Sequence, residues 1–349
     1  MLTKGRAYII AEAGVNHNGN IELARQLVEA AAAAHCDAVK FQLFKTDKLV
    51  AAGVKRAPYQ GQGSQESLLC RLELSGHHLG ELVQHARRLG MDCIASPFDL
   101  DSARLLHEMD VPFMKISSGE INNLSFLRDV GMFGRPTMLS TGTATLGETE
   151  TAVAAIAEGL AQAPRRAGRW DDFFGKGIVL MHCVTSYPAP IDQVNLRAMT
   201  ALAAAFDYPT GYSDHTVGLE ASIAAVAMGA CAVEKHFTLD KILPGPDHAA
   251  SASPSELAAM VQAIRRVEAA LGDGIKRPAS CERENMRVVR RSLCAARPLE
   301  NGRKLSKEDI IPLRAGKGIG AEKIDWVIGR TLRRPVGAKE PLGWEDLFA

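Results

Sequence analysis

Apolar residues come in two rhythms along this chain, and the rhythms take turns. Ala7 to Ala13 (AYIIAEA) is a compact apolar run interrupted only at Glu12, and Ile21 to Ala34 carries alanine and leucine at helical spacing. Ala38-Val39-Lys40-Phe41-Gln42 then places its polar residues at every second position, the period of a strand. The alternation repeats. Helices are predicted over 79–89, 102–109, 124–133, 148–161, 196–206, 219–228 and 254–271, and strands over 92–96, 113–117, 136–141, 178–184, 209–213 and 230–236. Eight strands strictly alternating with helices call for parallel strands joined by crossovers, and roughly 270 residues is the length of a closed (β/α)8 TIM barrel. An open doubly wound sheet is the alternative. Against it, no Gly-x-Gly-x-x-Gly turn follows the first strand, and polar residues recur at nearly every strand end instead of at one switch point.

Two connections break the rhythm. Residues 46–74 contain Gly53, Pro58, Gly61 and Gly63 with Tyr59, Gln60 and Gln62, which reads as a loop over the barrel mouth; residues 162–177, with Trp170, precede the sixth strand on the opposite face. The barrel domain is assigned to 1–272. Residues 273–291 are charged and proline-containing, a linker with one helical turn at most. From Ser292 to Ala349 short apolar segments alternate with turn signals such as Glu300-Asn301-Gly302, a second small domain that is mostly β.

Composition narrows the function classes. A formal net charge of +1 leaves no global field to attract nucleic acid or an anionic membrane, so any anion site is local. The seven cysteines are scattered without a C-x-x-C pair, which fits neither a disulfide framework nor a zinc ribbon. No segment has the length of a membrane span, and the chain reads as soluble and cytoplasmic.

In a barrel the carboxyl ends of the strands face one shared volume. There the chain offers Glu12; Lys40 and Gln42; Ser96; Lys115, Ser118 and Glu120; Ser140 and Thr141; Thr185 and Tyr187; Ser213, Asp214 and His215; and Glu234 and His236. Lysines with serine hydroxyls make a phosphate and carboxylate pocket. Two imidazoles with a carboxylate or water suit six-coordinate manganese or magnesium more than structural zinc. His17, His77, His78 and His107 fall in loops or helices and are read as surface residues. One barrel lysine could serve as a Schiff base instead, but that chemistry leaves the two histidines unexplained.

The strings Ala11-Glu12-Ala13-Gly14-Val15-Asn16-His17-Asn18-Gly19, Val39-Lys40-Phe41-Gln42, Lys115-Ile116-Ser117-Ser118-Gly119-Glu120, Leu139-Ser140-Thr141-Gly142, Ser213-Asp214-His215-Thr216 and Glu234-Lys235-His236-Phe237-Thr238 together resemble the sialic acid synthase family, in order and over nearly the whole chain. The resemblance implies a (β/α)8 barrel followed by a small antifreeze-like (SAF) domain, in a domain-swapped homodimer where that domain covers the partner's barrel. It implies an N-acetylneuraminate synthase, a transferase that condenses phosphoenolpyruvate with an N-acetylmannosamine-type amino sugar to a nine-carbon 2-keto acid and phosphate. His215 and His236 are then the metal ligands, for manganese first and magnesium or cobalt as alternatives. Lys40, Ser96, Lys115, Ser118, Ser140, Thr185 and Ser213 contact phosphoenolpyruvate; Glu12, Gln42, Tyr187, Asp247 and Arg314 contact the sugar. Glu12 or Glu120 handles protons, and Lys40 and Lys115 offset substrate charge. Two positions depart from the family pattern: Ala315 stands where proline often follows the arginine, and Thr185 where asparagine is often found.

The segments Pro58-Tyr59-Gln60 and Ser186-Tyr187-Pro188-Ala189-Pro190 resemble members that take a 2,4-diacetamido sugar to legionaminic acid, and pseudaminate synthesis is a third option. Relatives that use a sugar phosphate want further basic residues, and no such cluster is present. An ice-binding or non-catalytic carbohydrate-binding protein, suggested by the small domain, conflicts with the charges that crowd it, among them Lys304, Lys307, Arg330, Arg333 and Arg334.

Overall fold

The computed structural model describes residues 5–56, 63–164, 175 and 177–348. Its backbone forms two compact units, Met1–Gly272 and Asp273–Ala349. The first is the barrel expected from the alternation. Strands β1 Tyr8–Gly14, β2 Ala38–Leu43, β3 Asp92–Pro97, β4 Met114–Ile116, β5 Thr137–Ser140, β6 Ile178–Cys183, β7 Thr210–Asp214 and β8 Ala232–His236 are joined by helices. The ladder runs β3-β2-β1-β8-β7-β6-β5-β4. First and last strands pair in parallel, Glu12 opposite His236, and the ring is complete except at the seam where β4 packs beside β3.

Local signals set the helix limits. Asn20 caps the first long helix by accepting from the Glu22 and Leu23 amides, and Thr145 and Glu148 cap each other reciprocally at the start of Leu146–Gln162. The helix Pro254–Leu271 starts with a Ser253–Glu256 capping box and proline at its first position, and stops at Gly272, whose φ of 63° suits glycine.

The two faces of each strand do different work. Outward residues such as Ile9, Val39, Ile116, Leu139, Leu180 and Val233 share one buried cluster with Leu27, Leu82, Leu106, Leu127 and Ile264 of the helices. At about 1.5–3 kcal/mol for each fully buried side chain, this mantle supplies most of the drive for folding. Inward residues change character along the barrel. At the amino ends Tyr8, Ile10, Ala38, Ile94, Phe113, Met138, Val179 and Ala232 form an apolar floor. Two residues further along, the same face carries Glu12, Lys40, Ser96, Lys115, Ser140 and Glu234 on six of the strands, while β6 stays apolar with Met181.

The structure corrects several expectations. Residues 46–74 are not all loop: helices form at Thr46–Leu49 and Gln65–Leu72, and Ser64 caps the second. The Pro58–Gln62 stretch of the supposed lid, and most of the 162–177 insert, lie outside the described residues. His17 is not a surface residue. It is wholly buried with its ring 6.0 Å from that of Phe41 and Nδ1 accepting from the Gly19 amide, because the turn after β1 folds inward. His107 is half-buried and accepts from Arg135. The 273–291 segment holds a helix at Arg283–Val289, longer than the single turn expected, since its Arg, Glu and Met residues are good helix formers.

In the second unit β9 Arg291–Ala295 and β10 Ile310–Arg314 pair antiparallel over a core of Leu293, Leu299, Leu305, Val327, Leu332 and Leu342. No helix among the described residues is long and apolar enough to cross a membrane.

Candidate active site

The inward residues at the carboxyl ends of the strands enclose one concave, largely polar cavity. Its walls include Glu12, Lys40, Gln42, Ser96, Lys115, Ser118, Ser140, Thr185, Tyr187, Ser213, His215, Glu234 and His236. Residues from all eight strands or the loops that follow them are thus brought together. The spacing of two within Lys40/Gln42 and Glu234/His236 is what lets one strand contribute twice.

Four buried charges face one another here. Lys40 Nζ lies 2.8 Å from Glu12 and 3.7 Å from Glu234, and it donates to Ser96 Oγ at 3.3 Å. Lys115 Nζ donates to Ser140 Oγ at 2.6 Å and lies 3.6 Å from Glu234, whose other oxygen accepts from Ser213 Oγ at 3.0 Å. Burial would raise the Glu234 pKa, but Lys115 and Lys40 outweigh it and hold this carboxylate well below its ordinary range. Glu12 goes the other way: burial pushes it up to about 7 against the pull of Lys40, and the Glu234 charge adds to the push. Burial opposes the Lys40 charge, yet Glu12 and Glu234 hold its pKa up; for Lys115 burial prevails and lowers it. One oxygen each of Glu12 and Glu234 is buried without a hydrogen bond among the described residues. Such atoms are costly to leave unmet, so the cavity is built for a polar guest.

Opposite the lysines stand the histidines, with ring centroids 5.3 Å apart. His215 Nδ1–H donates to the Val184 carbonyl at 2.6 Å, which leaves Nε2 with its lone pair. Burial lowers the pKa values of both imidazoles, that of His236 well below the ordinary one, and the nearby His215 ring and the Lys40 charge oppose protonation of His236 further. His236 Nδ1 is buried without a hydrogen bond among the described residues, 4.0 Å from Asp247. Neutral rings offering lone pairs to one cavity fit a divalent cation. Among the described residues no group of three or more His, Cys, Asp or Glu is gathered for metal binding, so such an ion would take its remaining donors from substrate and water. The Tyr187 ring lies over His215, centroids 4.3 Å apart, and closes that side.

Ser118 begins the turn after β4 and accepts from the Gly142 amide at 3.0 Å. Gly142 is required there: a Cβ would come within 2.3 Å of Thr185 Oγ1 and 2.8 Å of Ser118 Oγ. Glu120 does not line the cavity. It ends that turn with its carboxylate accepting from Asn123 at 2.9 Å, because the short helical turn rotates it away from Ser118. Asp247 belongs to the loop after β8 and stands behind His236, raised to about 6 by burial. Arg314 is the exposed last residue of β10 in the second unit. Glu234, named above only as a strand-end residue, is the carboxylate that both lysines share. The signal for it was its position two before His236 on the same face. Phe98, Ser117 and Cys183 also line the cavity, although the sequence singled out none of them as a site residue.

The family model described as NeuB family matches residues 27–276, and the SAF domain model matches 290–347. The chain is 42% identical to an N,N'-diacetyllegionaminic acid synthase of Campylobacter jejuni, over 93% of this chain and 95% of that one. It is 42% identical to a protein of the same name from Legionella pneumophila, over 98% and 95%. Among solved structures, an N-acetylneuraminic acid synthetase of Leptospira borgpetersenii in complex with citrate superposes with a TM-score of 0.70 at 33% identity, over 80% of this chain and 90% of that one.

Proposed function

The chain belongs to the NeuB family, enzymes that join phosphoenolpyruvate to a sugar, and we propose that this member is a legionaminate-type synthase using a 2,4-diacetamido hexose. What carries the choice of sugar is identity: the two diacetyllegionaminic acid synthases match better, and over more of the chain, than the sialic acid synthetase does. This moves the reading from N-acetylneuraminate synthesis, the first expectation, to its stated alternative. N-acetylmannosamine remains the second reading, supported by the sialic acid synthetase fold match.

The residues suit the reaction. Lys40 and Lys115 hold the phosphate and carboxylate of phosphoenolpyruvate in a dry pocket where such pairs are stronger than in water, with Ser96, Ser118, Ser140, Thr185 and Ser213 as further donors. A divalent ion on His215 and His236, manganese before magnesium or cobalt, would supply a Lewis acid for the sugar aldehyde. Tyr187 and Gln42 border the sugar's side, with Asp247 behind His236 outside the cavity lining, and Arg314 of a second copy would complete it in a homodimer. The phosphoenolpyruvate methylene carbon bonds to the aldehyde carbon, whose oxygen takes a proton. Water adds at the resulting cationic carbon and loses a proton; the carbon–oxygen bond to phosphate then breaks, and loss of the hydroxyl proton leaves the ketone. Glu12, poised near neutrality, is the group placed to hold those protons.

The test is phosphate release by metal-stripped protein with and without manganese, offered each sugar in turn. Release that needs metal and a 2,4-diacetamido sugar is expected. Turnover with N-acetylmannosamine alone would transfer the assignment to the second reading, and silence with every sugar would refute both.

A further inference from the structure

Behind the histidines, on the opposite face of the same two strands, lies a charge pair that the chemistry above does not use. Strand alternation sends Ser213, His215, Glu234 and His236 into the cavity and Asp214 and Lys235 outward, among the apolar residues that meet the helices. Among the outward positions of the eight strands these two are the charged ones. Asp214 is wholly buried and Lys235 is 2% exposed; they pair at 2.9 Å between β7 and β8, where their backbones are in register.

Three of their other bonds converge on one residue, Thr216. Asp214 Oδ1 accepts from the Thr216 amide at 2.9 Å and from Thr216 Oγ1 at 2.8 Å, while Lys235 Nζ donates to the Thr216 carbonyl at 2.6 Å. Ser222 and Tyr212 donate to the same carboxylate. His215 therefore sits between two residues that are both clamped, and its own ring is held by Val184. A buried ion pair is a poor source of stability, since well-packed apolar residues of the same volume do as well or better. Its yield here is geometric. The β7 strand has ended at Asp214; beyond it the His215 carbonyl accepts from the Ala189 amide at 2.8 Å, and the ion pair with its Thr216 bonds holds the far side of the same turn.

We propose that Asp214 and Lys235 are positioning residues that fix the His215 turn, and with it the distance between the two imidazoles, for metal binding. The inference rests on the metal reading of those histidines. The experiment compares the full-length parent with Asp214→Asn/Lys235→Met, which removes both charges and leaves neither unpaired, and with Thr216→Val, which cuts the hydroxyl link while the ion pair stays whole. Manganese affinity is read from free Mn2+ by electron paramagnetic resonance, beside melting temperature and the kcat and KM for phosphoenolpyruvate. The double variant is expected to fold, to bind manganese at least tenfold more weakly and to lose kcat, with the KM for phosphoenolpyruvate within about twofold. Thr216→Val should shift manganese affinity in the same direction by a smaller factor. Parent-like manganese affinity and kcat in every variant that folds would overturn the proposal, and Thr216→Val decides alone if the double variant does not fold. A parent that binds no manganese sinks the metal reading instead; the positioning role then stands or falls on whether kcat drops in folded variants.

Discussion

Lys40 Nζ lies 2.8 Å from Glu12 Oε1 with both side chains almost wholly removed from water. With Lys115 and Glu234 nearby, the cavity carries +1 while Glu12 is protonated and is neutral once it ionises. Phosphoenolpyruvate is an anion, so it binds better to the first state. We predict that kcat/KM for phosphoenolpyruvate falls as pH rises through about 7, where burial has placed Glu12. Glu12→Gln should flatten that limb, and measuring both proteins with one substrate cancels the substrate's own titration. Linkage gives a second readout. The folded protein binds more protons than the unfolded chain between 4.5 and about 7, so stability falls as pH rises across that window, and the variant should lose that slope. Superimposable pH profiles would rule out this role for Glu12.

Lys115→Met should act on both binding and stability. It removes the donor to Ser140 and leaves the buried Glu234 carboxylate with Lys40 as its remaining lysine partner. Uncompensated buried charge is expensive, and a loss of about 2 kcal/mol or more is expected in urea titrations. The KM for phosphoenolpyruvate should rise about tenfold or more. A variant with parent-like KM would show that Lys115 is structural.

His215→Ala and His236→Ala should each remove most turnover, by about 100-fold or more, while the melting temperature stays within a few degrees. Both rings are neutral and neither carries a strand ladder, so their loss leaves the barrel intact. Manganese titrations of the two variants against the parent check the cause. Near-normal turnover in both would defeat the metal assignment.

The strand-helix alternation was legible because the helical and strand periods take turns along the chain, and some of the helices are also capped by their own sequence, as at Asn20, Thr145 and Ser253. The site was legible wherever period two applies: Lys40, Lys115, Ser140, Ser213, His215 and His236 all face the cavity. It failed where the chain leaves a strand. Glu120 closes a short helical turn, which rotates side chains by a different step, and its carboxylate lies beside Asn123. His17 shows the same limit in reverse, since polarity alone does not say whether a turn folds outward or in. The choice between sugars depends on loop side chains that no periodicity governs, and there the relatives rather than the pattern carried the argument.

Gly142→Ala tests how tightly the rim is packed. The added methyl group would meet Thr185 Oγ1, Ser118 Oγ and the Cys183 thiol, all under 3 Å, so either the β5 loop or those side chains must move. Overpacking of this kind costs about 1–3 kcal/mol. Because Ser118 and Thr185 line the cavity, kcat should fall along with the urea midpoint. Unchanged kcat would show that the phosphoenolpyruvate side of the site tolerates the shift.

Asp309 makes the last prediction, in the second unit. Its carboxylate has no exposure and accepts from Arg297 at 2.7 Å, Arg303 at 3.1 Å, and both the amide and hydroxyl of Ser306 at 3.0 Å. Burial opposes its charge, but these donors outweigh the penalty and hold its pKa far below the ordinary 3.8. A depressed carboxylate stabilises the fold above the unfolded value, and the contribution is lost as pH falls from there through the folded value. Asp309→Asn should therefore cost about 2 kcal/mol at neutral pH, since one acceptor oxygen becomes a donor facing donors. The difference between parent and variant should stay constant from pH 7 to pH 5 and shrink below pH 3.8, when the parent begins to lose its own advantage. Urea midpoints of the full-length proteins measured across that range would show it, and equal midpoints at pH 7 would mean that the arginines find other partners at no cost.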